Sequence, residues 1–170
     1  NIRDEFFDGL TFRGFTVHPE NSDVVYTAAE LHSWAKNREP RQGREFEMVE
    51  GIVYRTTDGG ERWEEVWRGE SLARYIWINP ENPDVLYLST GIFDREAANS
   101  NPETRYPGGE GVLKSVDGGQ TWQHANEGLG NLYVGSLYMH PENPDILLAG
   151  TGNNQYHQEN GVYIIENGAE

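Results

Sequence analysis

The chain has 170 residues, 36% hydrophobic and 12% aromatic, and its 20 glycines and 8 prolines suit short strands joined by many turns rather than long helices. A formal charge of −15 repels phosphate backbones and anionic lipid, so nucleic acid is not an expected partner. No apolar run approaches the roughly 18 residues that cross a bilayer, so membrane insertion is not expected; the absence of cysteine rules out disulfides and thiol chemistry.

Residues 1–8 read as an outer strand whose neighbour is missing from its own side. A short apolar run from Phe15 to Val17 leads into His18-Pro19-Glu20-Asn21-Ser22-Asp23, a turn in which proline presets φ and Asn or Asp bonds its own backbone. A second strand spans Val24 to Ala28, an insert runs from Glu30 to Glu50, and Gly51-Ile52-Val53-Tyr54 opens a third strand. A glycine-rich reversal then leads to a fourth strand carrying Trp63. The same order returns twice. Asn79-Pro80-Glu81-Asn82-Pro83-Asp84 and His140-Pro141-Glu142-Asn143-Pro144-Asp145 follow at intervals of 61 residues, and Gly111-Val112-Leu113-Lys114 and Gly161-Val162-Tyr163-Ile164 repeat the third-strand marker. The repeats run approximately 1–61, 62–120 and 121–170. Four antiparallel strands per repeat make the chain all-β, each repeat being one blade of a β-propeller. Three blades do not close a ring, since propellers have about four to eight. Further blades from the same chain, or a second copy whose Asn1–Asp8 completes the last blade of its partner, would close it.

The reversals carry the most specific residues. Ser115-Val116-Asp117-Gly118-Gly119-Gln120-Thr121-Trp122 fits Ser/Thr-x-Asp-x-Gly-x-Thr-Trp, and Thr56-Thr57-Asp58-Gly59-Gly60-Glu61-Arg62-Trp63 fits with Arg62 in place of the hydroxyl residue. The third copy, Ile165-Glu166-Asn167-Gly168-Ala169-Glu170, has lost the hydroxyl and stops before a tryptophan. Asp58 and Asp117 can accept bonds from turn N–H groups, the glycines permit positive φ, and the tryptophan packs beneath. These segments resemble the Asp-box, or BNR repeat, of sortilin-like propellers, photosystem II assembly factors, and xyloglucanase-like and sialidase propellers. That resemblance implies a structural fastener facing away from any active site, made by Thr56, Asp58, Gly60, Trp63, Ser115, Asp117, Gly119, Thr121 and Trp122. It also implies an extracellular or periplasmic location.

Function is expected on the opposite face, where inserts of about residues 30–50, 92–110 and 152–160 differ between repeats. The first offers His32, Trp34, Lys36, Arg38, Arg41 and Arg44; the second Asp94, Arg95, Glu96, Arg105 and Tyr106; the third Asn153, Asn154, Gln155, Tyr156 and His157. Aromatic faces beside Arg, Asn and Asp suit sugar rings and their hydroxyls. Arg13 and Arg74 occupy equivalent places just before the innermost strands, with Gly135 as the third counterpart, and could meet an anionic group bidentately. Sialidases hold a carboxylate with a triad of arginines, but the Arg-Ile-Pro signature and an assignable Tyr–Glu pair are absent.

Asp94 and Glu96 are the one closely spaced carboxylate pair beside an aromatic and an arginine. Residues two apart on a loop rarely face one another across the roughly 5–10 Å that glycoside hydrolysis uses. Glu30, Glu45, Glu47 and Glu50 are further acids without an assigned place, and in xyloglucanase-like enzymes the acids come from separate propeller domains. No catalytic residue is assigned. His18 and His140 alternate with Asn79, which indicates a turn role rather than metal binding, and no cofactor is expected, although an acidic surface suits Ca²⁺. The expectation is a non-catalytic recognition or scaffold propeller binding a glycan or protein. The alternative is part of a glycoside hydrolase, xyloglucanase-like or sialidase-like.

Overall fold

A computed structural model describes residues 10–31, 50–91, 109–152 and 161–166. The first sheet contains β1 (Leu10–Val17), β2 (Val25–Leu31), β3 (Glu50–Thr56) and β4 (Glu64–Gly69) in chain order. The second contains β5 (Ala73–Ile78), β6 (Leu86–Thr90), β7 (Val112–Ser115) and β8 (Gln123–His124), again in order. The third contains β9 (Val134–Met139), β10 (Leu147–Thr151) and β11 (Gly161–Ile165). All neighbouring strands are antiparallel, and no helix occurs among the described residues. These are propeller blades. β1 lies beside β5 and β5 beside β9, so the sheets meet along their first strands.

The turn after each first strand explains why histidine and asparagine interchange there. The backbone closes in the same way each time, from His18 N–H to Val24, Asn79 to Val85 and His140 to Ile146, at 2.9 Å. Inside the turn, Nδ1 of His18 accepts from Glu20 N–H (3.2 Å), and Nδ1 of His140 accepts from Glu142 (3.2 Å) and Asn143 (3.1 Å). The Asn79 amide oxygen accepts from Glu81 (2.9 Å) and Asn82 (3.1 Å). What the position requires is an acceptor at that reach.

The β3–β4 and β7–β8 turns share one circuit of bonds. The Ser115 hydroxyl donates to Asp117 Oδ1 (2.8 Å) and accepts from Gly119 N–H (2.8 Å). Asp117 then accepts from the N–H (2.9 Å) and hydroxyl (2.6 Å) of Thr121. Thr56 and Asp58 repeat this with Gly60 and Arg62, whose guanidinium at 2.9 Å takes the place of the threonine hydroxyl. Gly118 and Gly119 adopt φ of 70° and 85°, a region that glycine enters without steric cost. Trp63 and Trp122 immediately precede β4 and β8 rather than lying within them.

Sheets pack face to face. Tyr26, Ala28 and Val53 of the first meet Ala73, Ile76, Ile78, Leu86, Leu88 and Leu113 of the second, with Trp122 against the cluster. Tyr87 and Val112 meet Val134, Leu137, Met139, Leu147, Ala149 and Ile165 at the next seam, where Trp77 donates to the Leu137 carbonyl at 2.8 Å. The seam between sheets one and two is also hydrogen-bonded. The Tyr26 hydroxyl and Arg55 Nη1 both donate to the Gly118 carbonyl at 3.0 Å, and Trp122 Nε1 donates back to Val66 at 3.1 Å. Two apolar faces point outward: Phe12, Phe15 and Val17 on the first sheet, and Tyr138, Leu148, Val162 and Ile164 on the third. Residues 1–8 and the third reversal from Asn167 onward lie outside the described residues.

The third-strand marker is displaced by one residue between the first two blades. Ala29 pairs with Ile52, whereas its counterpart Thr90 bonds to Gly111, so Ile52 and not Gly51 occupies the equivalent place. Each glycine has its own reason. A Cβ on Gly111 (φ 81°) would collide with the Asn126 amide, and one on Gly51 would collide with the backbone of Ser71 and Ala73.

Bonds from Thr121 lower the Asp117 carboxyl from its ordinary value of 3.8 to about 2, and bonds from Arg62 do the same to Asp58. Because the folded values are depressed, these groups stabilise the fold above pH of about 4 and lose that effect as pH falls through about 2. Thermal unfolding of the wild type should therefore weaken between those limits. Asp117→Asn should be less stable at neutral pH and show a shallower acid dependence; an unchanged acid slope would contradict the circuit.

Candidate functional site at the insert end of the inner strands

The insert ends of the blades coincide. Leu10 faces Leu31, Ala73 faces Thr90 and Val134 faces Thr151, so the segments 32–49, 92–108 and 153–160 all leave the sheets at the end where β1, β5 and β9 begin. The reversals sit at the other end, where Gly59 bonds to Asp23 and Gly118 to Asp84.

Arg13 and Arg74 lie within β1 and β5, not before them as the apolar runs alone suggest, and they meet at the insert end, joined by an acid. Arg13 Nε and Arg74 Nη1 each donate to Glu30 Oε1 at 2.9 Å. Glu30 and Arg13 belong to the first blade and Arg74 to the second, so the ion group spans the seam. The Glu30 side chain is 0% exposed, that of Arg74 11% and that of Arg13 34%, which makes Arg13 the cation nearest solvent in this group. Among the described residues, two guanidiniums share this one carboxylate.

The third blade reaches this group by another route. Gly135, the counterpart of the two arginines, has no side chain because the ring of Tyr133 occupies its surroundings. A Cβ on Gly135 or on Gly91 would come within 2.8 Å of that ring. Burial of the Tyr133 phenol, with the charge of Glu30 adding to it against the nearby Arg74 and Arg13, raises its pKa above 10.0 and keeps it neutral. Arginine, arginine and tyrosine thus converge from three blades. Glu30 and Tyr133 were not apparent as partners in the sequence, although the 61-residue equivalence that maps Glu30 onto Gly91 marks Glu30 as a deviation between repeats.

Trp34, Asp94, Arg95, Glu96, Asn153, Tyr156 and His157 lie outside the described residues, as do Glu45, Glu47 and the remaining named insert residues. Glu50 forms an ion pair with Arg68, which also binds Glu65 at 2.6 Å. Among the described residues no group of three or more His, Asp or Glu is placed to hold a metal ion.

No family model and no curated protein sequence matches the chain. Solved structures do resemble it. An ancestral GH74 enzyme is similar at a TM-score of 0.55 and 17% identity, over 93% of this chain and 17% of that one. YCF48 from Cyanidioschyzon merolae gives 0.52 and 14%, over 95% of this chain and 36% of its own. The GH74 xyloglucanase from Xanthomonas campestris gives 0.51 and 16%, over 92% and 22%. The likeness is one of fold: this chain has the all-β architecture of propeller proteins and spans between about a sixth and about a third of the length of these structures.

Glu30→Gln should cost about 3–5 kcal/mol, because it removes the buried carboxylate that Arg13 and Arg74 share across the seam. Urea unfolding measures this, with exposed Glu61→Gln as a control expected to change little. A loss below about 1 kcal/mol at Glu30 would show that the ion group does not hold the seam.

Proposed function

We propose that this chain is a non-catalytic recognition segment of an Asp-box propeller, related to the sortilin-like, sialidase and xyloglucanase-like proteins, that binds a glycan at the insert end. The observation carrying this reading is the ion group of Arg13, Glu30 and Arg74. It fixes two arginines from different blades beside the inserts, and it occupies the one fully buried carboxylate among the described residues. Hydrolysis of a glycoside uses two carboxylates about 5–10 Å apart, whereas a carboxylate engaged by two guanidiniums acts as a fixed acceptor. Trp34, Tyr156 and the polar residues Asp94, Arg95, Glu96, Asn153 and His157 would complete the ligand surface. The apolar outer faces would meet further blades, from the same chain or a second copy. The location would be extracellular or periplasmic.

A second reading, a glycoside hydrolase to which this segment contributes part of a cleft, is supported by the likeness in fold to two GH74 structures. In that reading Asp94 or Glu96 would supply an acid and the rest would come from outside the segment.

A glycan array and a panel of chromogenic glycosides separate the two. The recognition reading expects glycan capture without turnover, weakened at least tenfold by Trp34→Ala. Turnover abolished by Asp94→Asn or Glu96→Gln would replace it with the hydrolase reading.

A further inference from the structure

Exposed apolar surface is concentrated on two sheet faces. Among the described residues, seven of the nine exposed large hydrophobics lie on the outward faces of the first and third sheets, and contiguous patches of this kind mark surfaces that are covered. β11 shows the pattern within one strand. Ile165 is buried at the second seam, while Val162 and Ile164 point the other way and are 76% and 65% exposed. A strand that is apolar on both sides suits burial on both.

The repeat identifies each face. By strand register, Leu148 and Val162 stand where Tyr26 and Val53 stand in the first sheet and Tyr87 and Val112 in the second. Those four are buried against the following blade. Phe15 and Val17 stand where Ile76 and Ile78 stand in the second sheet and Leu137 and Met139 in the third, all buried against the preceding blade. One end of the chain thus displays the half of a seam that reaches forward, and the other end the half that reaches back. Each is the half that the other lacks. The polar details agree. Tyr26 and Arg55 donate across the first seam, whereas their counterparts Leu148 and Ile164 carry no side-chain donor that burial would strand.

We infer that the outward face of the third sheet docks on the first sheet of a second copy of this chain, in the same head-to-tail sense as the internal seams. The internal seams show which face each end requires, and one chain carries both. Two such contacts close two copies into a six-bladed ring with two-fold symmetry, within the about four to eight blades of propellers. Because the direction of the repeat is kept, the insert ends of both copies fall on one rim. The ring then bears two groups of Arg13, Glu30 and Arg74 on that rim. The contact stands apart from the proposed glycan recognition and does not depend on it.

Sedimentation velocity of the whole chain at micromolar concentration tests this on the wild type, Phe15→Asp, Val162→Asp and an equal mixture of the two variants. Phe15 is 74% and Val162 76% exposed in one copy, so each variant should keep the β-sheet circular dichroism and cooperative melt of a folded chain. The expected result is a wild type of twice the chain mass and a monomer for each variant alone. The mixture should regain a weaker dimer, because one unaltered third sheet then meets one unaltered first sheet. A monomeric wild type would overturn the inference and leave the two faces to blades of another origin. A dimer that both variants leave intact would overturn it too, as would an assembly that grows past two copies. A mixture that stays monomeric would replace the head-to-tail contact with one between like faces.

Discussion

A single carbonyl, that of Gly118, decides how the first two blades meet. It lies in the β7–β8 turn, which the Ser115 and Asp117 circuit and two positive-φ glycines fold back on itself, and it points across the seam. Two donors from the neighbouring sheet, the Tyr26 phenol and the Arg55 guanidinium, take both of its acceptor sites. Those donors are cross-strand neighbours on β2 and β3. The bond from Trp122 to Val66 returns in the other direction, so the turn is gripped and also grips. Apolar packing brings the sheets together without direction, and the shared carbonyl fixes their register.

Following that pair through the repeats explains the outer faces. Tyr26 and Arg55 become Tyr87 and Lys114 in the second blade, again cross-strand neighbours, with the ammonium 6.0 Å from the ring centre. In the third blade the counterparts are Leu148 and Ile164, which donate nothing from their side chains and are exposed. At the other end Phe15, 74% exposed, replaces Ile76, which is buried at the first seam. The two ends of the array are thus apolar where the inner seams are partly polar.

Much of this could be read in the chain because its signals are local. The strands follow short apolar runs, the first turns follow from an acceptor two or three residues before its donors, and the reversals follow from Asp, Gly and a hydroxyl within seven residues. What could not be read depends on convergence across blades. Arg13 was visible as the equivalent of Arg74, yet nothing in spacing shows that Glu30, 17 and 44 residues away from them, sits between. Gly135 reads as a missing arginine, whereas it makes room for Tyr133. Identity also misled at Gly51, which matches Gly111 by type but sits one register away, because one glycine avoids a side chain and the other a backbone.

A double-mutant cycle on Tyr26→Phe and Arg55→Met tests the shared carbonyl most directly. Either change alone leaves Gly118 one donor and should cost no more than about 1 kcal/mol in urea unfolding, while both together orphan a buried acceptor and should exceed the sum by about 1 kcal/mol. The exposed bond from Arg55 to Glu64 cancels in the cycle. Strict additivity would contradict the claim that one carbonyl holds the seam.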